Sequence, residues 1–347
     1  MKVSFVSSQA INQALRYQTQ RMQADLIKAN KEVVSLRVAD VGLALGARSG
    51  VSLSMHREID RLKGLIDSNQ LAASRLSSTQ IVLRQMTGES EKLMEAVATA
   101  LSGAADPSLT RSQAQSVLST MASSLNSNLN GEYLFAGINT DVKPFADFND
   151  PTSAARVAFE TEFATYFGFA PDDPAAAGID GADITTFMDT VLDPMFFGAG
   201  WSDWSSATDQ QITTRITLSE TAQTSVSSNV SGVRKLAMAA AIIGGMFHDD
   251  LSADGRQAIL IRASQLVGEA QTDLANQQGL TGITEQRIAN ASERMSMQID
   301  IFTGSINDLE GIDWEEASTR VSGLMAQIEL SYSLTARMQQ LSLLKYL

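Results

Sequence analysis

The 347-residue chain has no cysteine, two histidines and few aromatic residues. Without cysteine it can form neither disulfides nor thiolate metal sites, and it has no thiol nucleophile. Aromatic residues make up only 6% of the chain, although hydrophobic residues make up 44%. The apolar content is therefore mostly Ala, Leu, Ile, Val and Met, which favour helices and coiled coils over the core of a β-sandwich.

Basic residues are also scarce, with 26 Lys and Arg against 39 Asp and Glu and a formal net charge of −13. This balance argues against nucleic acid as the main partner, because phosphate binding needs a basic surface. Residues 141–229 alone carry −11, whereas residues 1–40 carry +3. We interpret the acidic middle as a solvated outer face.

No apolar run is long enough to cross a membrane. The longest, Leu236 to Phe247, has twelve residues and contains two glycines, whereas a spanning helix needs about 20 apolar residues. Residues 1–9 (MKVSFVSSQ) do not develop into the apolar core of a secretory signal. We therefore expect a soluble chain that neither inserts into a membrane nor carries a cleavable address.

Glycine and proline divide the chain into regions. No glycine precedes Gly42 and no proline precedes Pro107, while five of the six prolines lie between Pro144 and Pro194. Two smooth regions thus flank a turn-rich middle. The pattern predicts five segments, which are an N-terminal assembly helix (1–45), N-terminal rod helices with a hairpin (46–140), a variable outward insert (141–229), C-terminal rod helices (230–309) and a C-terminal assembly helix (310–347).

Both ends of the chain carry amphipathic stripes. Near the start, Leu15, Met22, Ala29 and Leu36 recur every seven residues. Near the end, helical spacing connects Trp314, Ala317, Val321, Leu324 and Ile328, and continues through Leu334, Met338, Leu341 and Leu344. Neither stripe can be buried by its own helix, so we expect the two ends to pack together and against neighbouring copies. The predicted assembly seam consists of Leu15, Met22, Leu26, Leu324, Ile328, Leu341 and Leu344.

Glycines are predicted to interrupt the helices at three places. The first is an irregular connector containing Gly42, Gly46 and Gly50, the second contains Gly279 and Gly282, and the third is Gly311.

Between these breaks, Asp106-Pro107 predicts the start of a helix that ends near Leu129, before Asn130-Gly131. Asn69 and Gln80 lie on the stripe of the preceding helix, either as polar register pins or at its edge.

The sequence carries no motif of a known catalytic or metal site. His248-Asp249-Asp250 is the nearest approach to a metal site, but we predict a polar loop that caps the next helix. A P-loop, a dinucleotide-binding motif and a nucleophile elbow are all missing. We therefore expect no catalytic, cofactor-binding or metal residues and no enzyme activity, with an enzyme carried by the insert as the remaining alternative. The aromatic cluster of the insert is predicted to form its core rather than a ligand surface, and contains Phe159, Phe163, Tyr166, Phe167, Phe169, Trp201 and Trp204.

Several motifs resemble one family of bacterial proteins. Residues 131–137 (GEYLFAG), followed by Lys143-Pro144-Phe145, resemble a hairpin segment of the hook–filament junction proteins, the hook-associated proteins of the FlgL type. Residues 286–291 (QRIANA) look like the start of the C-terminal region of flagellins, to which these proteins are related. The final residues 340–347 (QLSLLKYL) are similar to the end of junction proteins.

The resemblance implies a mainly α fold, in which both chain ends form a flagellin-like antiparallel rod of long helices and coiled coil, with a β-hairpin and a small mixed inserted domain. It implies a structural protein that joins the flagellar hook to the filament by helical self-assembly, outside the cell, after export through the flagellar secretion channel. Its partners would be the hook-side junction protein, flagellin, copies of itself in a ring and, before secretion, an export chaperone. No cofactor is implied, and flagellin itself is the alternative.

Overall fold

The computed structural model describes residues 8–343, which are mainly helical. The α-helices of this part are α1 (Ser8–Ser35), α2 (Val41–Leu45), α3 (Ser49–Leu101), α4 (Pro107–Leu125), α5 (Ala154–Phe167), α6 (Gly181–Phe187), α7 (Asp193–Phe197), α8 (Ser231–Met246), α9 (Ala253–Glu310) and α10 (Trp314–Leu343). Its strands are β1 (Asn128–Leu129), β2 (Glu132–Tyr133), β3 (Thr213–Arg215) and β4 (Thr221–Gln223), paired as two antiparallel hairpins. The predicted mainly α fold with long helices and a hairpin is confirmed.

The chain forms two compact units. Unit 1 consists of residues 1–63 and 295–347, and unit 2 consists of residues 64–294. The five-segment division made from the sequence stays a prediction. Within the described residues, no helix is both long and apolar enough to cross a membrane.

In unit 1, the terminal helices α1 and α10 run antiparallel and pack along each other. Helix α1 ends at Ser35, because Leu36 adopts a left-handed backbone conformation with φ of 54°. Helix α2 is capped by Asp40, whose carboxylate accepts a hydrogen bond from the Leu43 N–H at 3.0 Å. The predicted break at Gly311 is confirmed, since α9 ends at Glu310 and α10 starts at Trp314.

In unit 2, α8 is the centre of the core. Thirteen of its sixteen residues are buried, and helices α4 and α7 pack against it. Gly245 of α8 lies against the Phe159 ring, and Gly232 lies against Leu274 of α9. A side chain at either glycine would have to displace its neighbour, so these glycines permit close packing around α8.

The aromatic residues of the middle segment belong to this same core. Phe159, Phe163, Trp201 and Trp204 are buried in one continuous hydrophobic cluster with α3, α4, α8 and α9. Trp204 stacks on Phe148 with ring centroids 5.1 Å apart. The prediction of an aromatic core is correct for these residues, but the core is shared with the long helices rather than private to the insert.

Polar side chains connect α3 to α9 within unit 2. The Asn69 amide donates to the Ile216 carbonyl at 3.0 Å and to the Ser292 hydroxyl at 3.1 Å. The Gln80 amide donates to the Gln278 carbonyl at 2.8 Å. Both residues therefore act as polar pins between the two helices, the first of the two interpretations left open by the sequence.

Two predicted helix boundaries were wrong. Helix α9 continues through Gly279 and Gly282, because packing and hydrogen bonds along this helix outweigh a cost of about 1 kcal/mol per glycine. Helix α4 ends at Leu125 rather than near Leu129. Its last turn is closed by the Asn126 N–H, which donates to the Ala122 carbonyl, and the Asn126 side chain bonds both the N–H and the carbonyl of Phe145.

The residues that follow the end of α4 form the first hairpin. Asn130 and Gly131 adopt φ of 55° and 87° between β1 and β2. A two-residue turn with both φ values positive is the usual type I′ connection of a tight hairpin.

In the predicted connector, Gly50 was also misassigned, because it lies inside α3.

Candidate assembly surface

The contact between α1 and α10 buries part of the predicted seam. Met22 on α1 and Ile328 on α10 are buried, whereas Leu15, Leu26 and Leu324 are half-buried. Ala29 and Ala317 are also buried and allow the helix backbones to approach each other. Leu341 lies within α10, but its side chain is outside the described part, and Leu344 lies outside the described residues. That these positions act in assembly stays a prediction.

Polar contacts fix the register of the two terminal helices. The Gln23 amide donates to the Tyr332 hydroxyl at 2.6 Å, and Arg320 lies 3.2 Å from the Glu32 carboxylate. The +3 charge of residues 1–40 favours acidic partners, yet here the acid belongs to α1 and the base to α10. Net charge therefore does not explain this pair, and an exposed pair of this kind contributes at most about 1 kcal/mol.

At the inner end of the pair, the connector after α1 meets the link between α9 and α10. The Val38 N–H donates to the Glu310 carbonyl at 2.8 Å, and the Ile312 N–H donates to the Leu36 carbonyl at 3.2 Å. Arg37 and Gly311 thus form an isolated antiparallel bridge. The two breaks between helices, which are far apart in sequence, stabilise each other through these backbone hydrogen bonds.

The buried Glu310 carboxylate holds this junction together. It accepts hydrogen bonds from the Ser52 hydroxyl and from His56 Nε2, the latter at 3.3 Å. Arg37 lies 3.5 Å away and also donates to Asn307 Oδ1 at 3.0 Å. A buried carboxylate is stable only when it is paired and hydrogen-bonded, so these partners explain its position. The sequence offered no signal for it beyond a single Glu before Gly311.

Apolar side chains on a second side of α1 remain exposed. Tyr17, Ile27 and Val34 are 70%, 71% and 86% exposed. Their spacings of ten and seven residues place them on a stripe separate from Met22 and Ala29. The sequence prediction considered one stripe and missed this one, although its helical spacing was present.

Helix α10 likewise exposes apolar residues that do not face α1. Trp314 and Leu334 lie on the amphipathic stripe that the sequence predicts for this helix, but both are more than half exposed. Leu334 lies more than a quarter turn from the line through Ala317 and Ile328, and Trp314 is the first residue of the helix. Leu330 shares the exposed face of Leu334.

The two units differ in how they distribute apolar residues. Among its described residues, unit 1 buries nine apolar residues and exposes fourteen large ones. Unit 2 buries fifty-five and exposes thirteen, although it is only about twice as long. Exposed apolar surface on this scale is typical of a protein interface. Unit 1 is therefore the candidate assembly surface.

In the described part of the chain, no group of three or more His, Asp or Glu side chains is placed so that it could hold a metal ion. His248 accepts a hydrogen bond at Nδ1 from Arg111 at 3.0 Å, and its Nε2 lies 3.3 Å from the Gly245 carbonyl. Burial, and then the charge of Arg111, lower the pKa of His248. A neutral ring that donates from Nε2 satisfies both contacts, which is a structural role.

Comparisons with known proteins bear on this surface. The profile of the bacterial flagellin N-terminal helical region matches residues 6–140, and that of the bacterial flagellin C-terminal helical region matches residues 264–347. Together they include both helices of the terminal pair. No curated protein sequence matches the chain.

A solved structure from Vibrio parahaemolyticus, provisionally described as a flagellar hook-associated protein, is similar in fold. The TM-score is 0.53 at 10% sequence identity, and the match covers 76% of this chain and 97% of the other. At this identity the likeness shows the fold alone. The fold of the chain is therefore flagellin-like.

Proposed function

Since the chain carries both terminal helical regions of bacterial flagellins and so belongs to the flagellin superfamily, we propose that it is the junction subunit that connects the flagellar hook to the filament. The family makes it a structural component of the flagellum. The junction role is the narrower proposal, and it was suggested by residues 131–137 and by the chain's final residues.

The observation that carries this proposal is the second apolar stripe of unit 1. Tyr17, Ile27 and Val34 remain exposed after α1 has paired with α10. Burying one such side chain in a subunit contact is worth roughly 1.5–3 kcal/mol. Burying three such side chains on one helix would favour association of each subunit through its terminal helix pair.

The proposed partners follow from this surface. Head-to-tail contacts through one exposed stripe need not close after two copies, which suits a ring or a helical stack. We assign these contacts to copies of the same chain, with the hook-side junction protein on one side and flagellin on the other. An export chaperone would cover the same apolar residues before secretion through the flagellar channel to the cell exterior.

Substitutions in the stripe test the proposal. Ile27→Ser and Val34→Ser remove exposed apolar groups and leave Met22 and Ala29 in place, so we expect unchanged helicity but a loss of binding to purified hook–filament material. Val157→Ser, at a half-exposed position of unit 2, is the matched control. Wild-type binding by both stripe variants would refute an assembly role for this face.

The number of subunits separates the junction role from that of bulk flagellin. Antibody labelling of intact flagella should place a junction protein in a short band at the hook end, whereas a flagellin labels the whole filament. A strain that lacks the chain should form hooks and release flagellin into the medium. Labelling along the filament would instead establish the flagellin alternative.

A further inference from the structure

The hairpin β3–β4 has a free backbone edge. Its register pairs Thr214 with Ala222, and the flanking bonds are Thr224 N–H to the Ile212 carbonyl and Ile216 N–H to the Glu220 carbonyl. Hydrogen-bonded pairs alternate along an antiparallel ladder, so Thr221 and Gln223 of β4 point their N–H and carbonyl groups away from β3. In the described part of the chain, none of these groups has a hydrogen-bond partner.

A groove of about 360 Å³ lies beside this edge in unit 2. One side consists of β4 with its neighbours, and the other side is a stretch of α9 that includes Leu280, Ile283 and Arg287. Leu280 and Ile283 are 62% and 60% exposed. The groove therefore combines unpaired backbone groups with apolar side chains.

The electrostatics of the groove favour an uncharged occupant. Arg287 is the charged residue of its lining, and this guanidinium already contacts the Glu220 carboxylate at 2.7 Å. No charge in the lining remains to attract a charged ligand. A small polar molecule would not use the two-residue repeat of donors and acceptors that Thr221 and Gln223 present.

We propose that this groove binds an extended, uncharged segment of a neighbouring polypeptide by strand addition to β4. The segment would bond to the backbone of Thr221 and Gln223, and every second side chain, an apolar one, would contact Leu280 and Ile283. Strand addition takes affinity from main-chain hydrogen bonds and specificity from alternate side chains. This inference goes beyond the proposed function, and its test needs no assembled flagellum.

The test uses the full-length protein and the neutral peptide acetyl-Thr-Val-Thr-Val-Thr-amide, with backbone amide resonances as the readout. Saturable shifts are expected at Thr221, Gln223 and Ile283. Gln223→Pro removes one outward N–H without removing a β3–β4 bond, and should weaken binding roughly fivefold, the effect of one hydrogen bond. Gln223→Val keeps the N–H and is the matched control.

A second pair of variants keeps the test decisive if Gln223→Pro disturbs the fold. Ile283→Asp introduces a charge at an exposed position facing the groove, and should abolish peptide binding. Ile261→Asp makes the same change at an exposed position of α9 outside the groove lining, and should leave binding intact.

The proposal is overturned by any of three results. One is the absence of saturable shifts at Thr221 and Gln223 with millimolar peptide. Another is equal affinity in wild-type protein and a folded Gln223→Pro variant, and the third is equal affinity in the Ile283→Asp and Ile261→Asp variants. Failure of the junction role would leave this result unaffected, because peptide binding is measured on the isolated chain.

Discussion

Replacing Glu310 with Gln should loosen the junction between the connector after α1 and the link between α9 and α10. The substitution keeps the shape of the side chain but removes the charge that Ser52, His56 and Arg37 surround. Hydrogen bonds to a charged group contribute about 1.5–3 kcal/mol, against about 1 kcal/mol for neutral partners. The amide oxygen of Gln can retain one of the two bonds, and the partly exposed Arg37 adds less than about 1 kcal/mol. We expect a net loss of about 2 kcal/mol in local stability.

Amide hydrogen exchange measures this loss directly. The reporters are the N–H groups of Val38 and Ile312, which bond across the junction to the Glu310 and Leu36 carbonyls. A loss of about 2 kcal/mol corresponds to roughly thirtyfold faster exchange at both amides. Asp308→Asn, at an exposed position of α9, is the control and should change the local free energy by less than about 0.5 kcal/mol. Equal exchange rates in Glu310→Gln and the wild type would refute the role assigned to this carboxylate.

Three further predictions concern backbone, protonation and polar packing. Gly311→Ala should destabilise unit 1 by about 1–3 kcal/mol, because the new Cβ would overlap the Asn307 carbonyl. In the control Gly304→Ala, the new Cβ has no neighbour in contact and should stabilise α9 by about 0.5–1 kcal/mol. Denaturant titration of both variants measures the two changes. The lowered pKa of His248 means that the unfolded chain binds this proton more readily, so unit 2 should lose stability as pH falls from 6.5 towards the lowered pKa, a slope that His248→Gln should flatten. Asn69→Ala leaves the Ile216 carbonyl without its side-chain donor and should cost unit 2 about 1–3 kcal/mol in tryptophan-monitored unfolding; an unchanged midpoint would count against a pin at this position.

Local signals in the sequence were sufficient for the long helices and their ends at Gly311 and Asp106. Asp106 caps α4 and Pro107 follows at the first helical position, a combination whose meaning does not depend on tertiary contacts. Gly279 and Gly282 gave a wrong prediction of a helix break, because the effect of a glycine inside a helix does depend on tertiary contacts. The helix propensity of glycine is a weak preference, and packing along α9 overrides it.

The candidate surface was predictable only in part. Period-seven spacing identified Met22 and the side of α1 that faces α10, because burial within one helix pair follows the helical period. It could not identify Val34 as exposed, since an apolar residue that awaits a partner has the same sequence pattern as one already buried. Glu310 was also missed, because its role depends on Arg37, Ser52 and His56, which are distant in sequence.

The burial of α8 limits how this subunit can be altered. Because Phe159 and the tryptophans of the middle segment cover that helix, residues 141–229 cannot be deleted without uncovering α8. A shortened chain would expose a helix that is apolar on nearly every side and would tend to aggregate. Foreign epitopes for display are therefore better placed in the solvent-facing turn at Leu218 and Ser219, between β3 and β4, which lies outside that aromatic cover.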